Sequence, residues 1–140
     1  MATFENAIDY VLVNECGPKF SAICTTDNDG GLVKFGLNTR SNPDLLTKYG
    51  SHLERMDLAA AKLEYKARYW QPIMDQLVSQ RVATKVLDMM VNQGIGDGIN
   101  HLQLAVGIPH TTAHFGPVTL GKANALAEDT LLAALVEKYI

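Results

Sequence analysis

Between Ser79 and Gly94 the apolar residues Val82, Ala83, Val86, Leu87, Met90 and Val91 recur at steps of three and four. That spacing belongs to one face of a helix and not to a strand, whose side chains alternate. Ser79 suits the N-cap, because its hydroxyl can accept a first-turn amide, and Gly94 suits the stop. A helix with so wide an apolar stripe has little stability alone and needs other elements to cover it. The rest of the chain must therefore supply packing partners.

Much of it reads as helix. Thr3 can cap a first helix whose face is Phe4, Ile8, Val11 and Leu12, with Gly17 and Pro18 ending it. Glu15 then falls in or just beyond the last turn. Asp57 can cap a helix from Leu58 to about Tyr69, and Pro72 can open a short one through Leu77. Asp97 can start another running through Leu102 and Val106 to Gly107. Phe115-Gly116-Pro117 reads as a turn, and a last helix carries Leu131, Leu132, Leu135 and Val136. One region differs. Phe20-Ser21-Ala22-Ile23-Cys24-Thr25 and Leu32-Val33-Lys34-Phe35-Gly36-Leu37 flank an Asp/Asn/Gly cluster at 26–31, the pattern of a hairpin or an irregular β-like lobe. Asn42-Pro43 marks a further turn. The expected class is α+β, mostly α, with a small β-hairpin lobe near the N-terminus.

The chain has 140 residues, enough for one domain with its own core, and shows no repeat or linker. No apolar run approaches the roughly 20 residues of a membrane span, so no membrane insertion is expected. The net charge of −3 argues against a nucleic-acid binder held by phosphate contacts. Met1-Ala2-Thr3-Phe4 lacks the basic and apolar start of a secretory signal, so synthesis in the cytoplasm is expected. Cys16 and Cys24 allow one bridge in an oxidising compartment, or two small buried thiols.

Several stretches, in order, carry a family resemblance. They are Val13-Asn14-Glu15-Cys16-Gly17, then Gly30-Gly31-Leu32-Val33-Lys34-Phe35-Gly36-Leu37, then Tyr65-Lys66-Ala67-Arg68-Tyr69-Trp70. Leu87-Asp88-Met89-Met90-Val91-Asn92-Gln93-Gly94 follows, then His101-Leu102-Gln103 through Gly107, and Phe115-Gly116-Pro117-Val118-Thr119. The chain resembles the glycoside hydrolase family 108 muramidases, with the small peptidoglycan-binding segment that follows their catalytic half. The resemblance implies a single lysozyme-like domain over 1–140, with 1–77 as the catalytic half and 78–140 as a peptidoglycan-binding-like half. It implies hydrolysis of the β-1,4 bond between N-acetylmuramic acid and N-acetylglucosamine, and no cofactor. Cys16 stands where the family has glycine, and Val33 where it usually has threonine.

That chemistry needs a proton for the leaving oxygen and a group to manage an oxocarbenium-like centre. Glu15 suits the donor, because the negative end of a helix dipole disfavours the carboxylate and apolar surroundings would raise its pKa further. Its alternative is a solvated glutamate in a fraying turn. Asp27 and Asp29 are candidates for the second group, and both equally suit a turn before glycine. Tyr69 and Trp70 are candidate sugar platforms, with core packing as the alternative for Trp70. Asp88, Asn92 and Gln103 can line a cleft or tie helices together. His110 and His114 have an i, i+4 spacing, but they follow a proline in a Thr-rich stretch and no metal site is expected. Peptidoglycan is the implied partner, with a phage tail or a secretion assembly as the implied delivery. Action at the bacterial cell wall or within a virion follows from it. The competing function is a weak or inactive lysozyme-like module that binds wall or serves an assembly.

Overall fold

The computed structural model describes residues 1–17, 25–26 and 31–139. The chain divides into two compact units, Met1–Val11 with Arg68–Ile140, and Leu12–Ala67. Helix is the dominant element, and a small antiparallel sheet lies in the second unit.

The first unit is built on the apolar stripe between Ser79 and Gly94. Helix α4 runs Gln80–Gln93, after α1 (Phe4–Cys16), α2 (Asp44–Tyr49) and α3 (Leu58–Tyr69). Its N-terminus is capped as expected, the Val82 amide donating to Ser79 Oγ at 3.1 Å. The Ser79 hydroxyl in turn donates to Glu128 at the start of α7 (Glu128–Tyr139). Val82, Val86, Leu87 and Met90 are buried, together with Ile99 and Leu102 of α5 (Ile95–Ala105) and Leu131 and Leu135 of α7. The N-terminal segment joins this unit through backbone and side chain: the Ala2 amide donates to Leu77 O at 2.9 Å and the Thr3 amide to Gln80 Oε1 at 2.8 Å.

Two expectations change here. The helix expected from Asp97 begins at Ile95 instead, because Gly94 at φ 100° both ends α4 and serves as the N-cap of α5. Asp97 sits in the first turn, where its charge favours the positive helix end. The turn at Phe115-Gly116-Pro117 leads directly into a helix, α6 (Pro117–Ala125), with the proline at the first helical position.

Gly98 sets how closely α4 and α5 approach. A Cβ there would lie 2.6 Å from Met90 Cγ and 2.9 Å from the Met90 backbone Cα and N. Backbone cannot yield as a side-chain tip can, so the helices would have to separate. Gly98→Ala is expected to cost about 1–3 kcal/mol through overpacking, despite alanine's better helix propensity. Thermal unfolding of the two proteins measures this; an equal or higher Tm for the variant would contradict it.

In the second unit the strands are β1 (Thr25–Thr26), β2 (Leu32–Lys34) and β3 (Leu37–Asn38). Thr25 faces Val33 and Thr26 faces Leu32 in an antiparallel pair, so the two runs on either side of the Asp/Asn/Gly cluster do meet, while 27–30 lie outside the described residues. The expected strand over 32–37 is, however, broken. Lys34 pairs with Leu37 and Val33 with Asn38, so the chain reverses at Phe35-Gly36. Both turn residues have positive φ, 51° and 80°, the two-residue turn whose twist matches that of antiparallel strands. Leu37, Leu45, Leu53, Met56 and Tyr65 form the buried interior of this unit.

Candidate active site

Glu15 lies in the last turn of α1, and its side chain is half-buried. Gly17 at φ 84° ends the helix, its amide donating to Val13 O at 3.0 Å. The turn Val13-Asn14-Glu15-Cys16 holds no basic residue, so the negative end of the helix dipole is not offset by its own side chains.

The Phe35-Gly36 turn comes up against this glutamate. A Cβ on Gly36 would stand 2.9 Å from Glu15 Cβ, 3.4 Å from Glu15 Oε2 and 2.6 Å from the Tyr65 hydroxyl oxygen. Only glycine leaves room there, and only glycine takes φ 80° at little cost. Phe35 has no such freedom, and its left-handed conformation costs about 1 kcal/mol. Three contacts hold it. Its ring is buried, the Lys34 ammonium lies 5.8 Å from the ring centroid, and its carbonyl accepts the Tyr65 hydroxyl at 2.7 Å. Lys34 is itself anchored, donating to Leu53 O at 2.9 Å.

A second glutamate in this unit, Glu64, is buried. It accepts Lys48 Nζ at 3.0 and 3.3 Å and the Tyr49 hydroxyl at 3.3 Å, which ties α2 to α3. A buried carboxylate engaged by a cation and a phenol serves as a structural anchor. Beside the Phe35 turn is an open cleft of about 620 Å³ lined by Lys34, Phe35, Glu54, Arg55 and Met56. Glu54 curls over Gly50, where a Cβ would collide with its carboxyl group. Backbone amides, its own and that of His52 at 2.9 Å, hold the Glu54 carboxyl below the ordinary value of 4.5. A lowered value means the turn is supported above pH 4.5 and loses that support as the pH falls through the lowered value. Protection of the His52 amide, corrected for intrinsic exchange, should fall on acidification in the wild type and be low at every pH in Glu54→Gln.

The other sequence candidates fall elsewhere. Asp27, Asp29 and Cys24 lie outside the described residues, as does the Cys16 side chain. Val33 is half-buried in the middle of β2. Tyr69, Trp70, Asp88, Asn92 and Gln103 belong to the first unit. Trp70 is 6% exposed, meets the Phe4 ring edge-on at 5.8 Å, and donates its indole N–H to Asp75 Oδ1 at 2.9 Å. Tyr69 is half-buried. Asp88 is buried on α4, accepts Asn92 Nδ2 at 3.3 Å and lies 3.8 Å from Lys85 Nζ, while Asn92 itself is exposed. Gln103 is buried and ties down the loop after α5. Its amide nitrogen donates to Thr112 Oγ1, His114 O and Thr119 Oγ1, and its oxygen accepts the Thr112 amide.

His110 and His114 lie in that loop and not on a helix, and the described residues hold no group of three potential metal ligands. No helix among the described residues is long and apolar enough to cross a membrane. Sequence reading missed Gly36 and Tyr65 as parts of the Glu15 environment. Their signal was present only as neighbouring family motifs, since the contact between Tyr65 and Phe35 spans 30 positions.

The profile of the family described as glycosyl hydrolase 108 matches residues 8–94. No curated protein matches the chain. Among solved structures, the chain is similar to that described as the structure of Brucella abortus SagA, with a TM-score of 0.74 and 20% identity. The match covers 97% of this chain and 76% of that one, and at such identity it speaks for the fold. Together with the helical architecture and its small antiparallel sheet, these findings support a peptidoglycan-degrading, lysozyme-like module. The matched segment includes Glu15, the Phe35-Gly36 turn and Tyr65, and the chain belongs to the glycosyl hydrolase 108 family: it is a glycoside hydrolase of lysozyme-like fold.

Proposed function

We propose that the protein is an N-acetylmuramidase that cleaves the β-1,4 bond following N-acetylmuramic acid in peptidoglycan, with Glu15 as the general acid. The observation that carries this reading is the setting of Glu15. Glu15 is half-buried in a last helical turn that carries no basic side chain of its own, with its Cβ against a glycine turn. That field favours a carboxyl that keeps its proton until a leaving oxygen takes it. The second group is Asp27 or Asp29. A separation from Glu15 of about 5 Å would make it a nucleophile, and one of roughly 6.5 to 9.5 Å a base activating water. Tyr69 and Asn92 retain exposed surface for sugar contacts, whereas Trp70, Asp88 and Gln103 serve the fold. Residues 78–140 add a wall-binding half, and a phage tail or a secretion assembly delivers the enzyme.

The test is product analysis. Purified peptidoglycan is digested, the new reducing ends are reduced with borohydride, and the hydrolysed sugars are separated. Muramitol is the expected product. Glucosaminitol would move the cleavage to the other glycosidic bond, and wall binding without new reducing ends would replace the enzyme by an inert wall-binding module.

A further inference from the structure

Glu15 sits where a side chain is hard to hold still, in the final turn of a helix that ends two residues later at Gly17. Rotational freedom there would spread the carboxyl over several positions, of which few place its proton on a glycosidic oxygen. Contacts with neighbouring stretches of the chain narrow that freedom. The backbone at Gly36 is close enough to do so, since even one added carbon would press on Glu15 Cβ.

That backbone is in turn fixed from behind by Tyr65. The residue is completely buried, and its hydroxyl donates to Phe35 O, the carbonyl of the peptide between the two turn residues. Flipping this central peptide is what interconverts related two-residue turns, so a donor on its oxygen selects one orientation. The bond is 2.7 Å long and buried, and a phenylalanine would fill nearly the same space without it. The hydroxyl therefore serves the turn more than the packing. Gly36 completes the arrangement, because its missing Cβ lets Tyr65 and Glu15 approach the same backbone atom from two directions.

We propose that Tyr65 is a positioning residue for proton donation: it locks the Phe35-Gly36 peptide, and that peptide confines the Glu15 carboxyl. The inference rests on the reading of Glu15 as the acid. Its signature is a defect confined to steps that need the proton.

The experiment compares Tyr65→Phe, Gly36→Ala and Glu15→Gln on two substrates, counting only folded protein. One is solubilised wall glycan, whose sugar leaving group needs protonation. The other is an aryl β-glycoside of the wall disaccharide with an acidic phenol, which departs without it. Tyr65→Phe is expected to lower kcat on glycan by about tenfold to a hundredfold, in line with a small misplacement of a reacting group. KM should stay within about twofold, and the loss should shrink on the aryl substrate. Gly36→Ala should show the same pattern, and it carries the test should Tyr65→Phe fail to fold. Unchanged kcat on glycan, or an equal loss on both substrates, would overturn the proposal. If Glu15→Gln is inactive while both other variants match the wild type, only the positioning role falls. If Glu15→Gln remains active on glycan, the acid assignment falls and the positioning role with it.

Discussion

Glu15→Gln is expected to lower the rate of wall hydrolysis by about a hundred- to ten-thousand-fold, the usual contribution of a positioned general acid. In activation energy that is about 3–5 kcal/mol. The substitution keeps the length and shape of the side chain, so its contact with the Gly36 backbone and the end of α1 should be preserved. What disappears is the transferable proton. Binding should therefore persist, and the variant should still sediment with purified walls while leaving their turbidity unchanged. A loss below fivefold would remove Glu15 from the mechanism. A loss of binding alongside activity would point instead to a damaged fold, which the far-UV spectrum and Tm would reveal.

Trp70→Ala should act in the opposite way, through stability and not through the wall. The ring is 6% exposed, packs edge-on against Phe4, and gives its N–H to Asp75. Truncation leaves a cavity and deprives the Asp75 carboxylate of a donor, a combined loss of about 3–5 kcal/mol. For a chain of this length that lowers Tm by roughly 10–17 °C. At a temperature where the variant stays folded, its KM on solubilised glycan should match the wild type. An unchanged Tm with a severalfold higher KM would restore the sugar-platform role.

The contrast between these two residues shows how far sequence carried the reading. Caps were readable because they are local: Thr3 accepts the Asn6 amide at 3.3 Å, Asp57 the Ala60 amide at 2.8 Å, and Ser79 the Val82 amide. The amphipathic stripe of α4 was readable because it repeats. Helix α6 was missed because Gly121 and the β-branched Val118 and Thr119 weaken its signal, while its anchors are remote. Asn124, for instance, accepts the Val78 amide and donates to Gln76 O. Helix α2 is a six-residue segment with no side-chain cap, below the length at which periodicity speaks. The break in the strand at 32–37 was hidden because Phe35 is an unusual residue for a positive φ, and what holds it there comes from α3. At the site, position along α1 identified Glu15, but the residues that surround it could be found only once distant segments met.

The order in which the chain leaves the ribosome gives the division of the fold a consequence. Leu12–Ala67 is one unbroken stretch, so every partner its interior needs is present soon after residue 67 is made. The other unit begins at Met1 and resumes only at Arg68. The bonds from Ala2 to Leu77 and from Thr3 to Gln80 cannot form until those residues have been synthesised. At about 5–20 residues per second, Phe4, Ile8 and Val11 spend several seconds of translation without their native cover. A translational pause shortly after residue 67 would lengthen that exposure, so the nascent N-terminal helix is where a chaperone has most to shield.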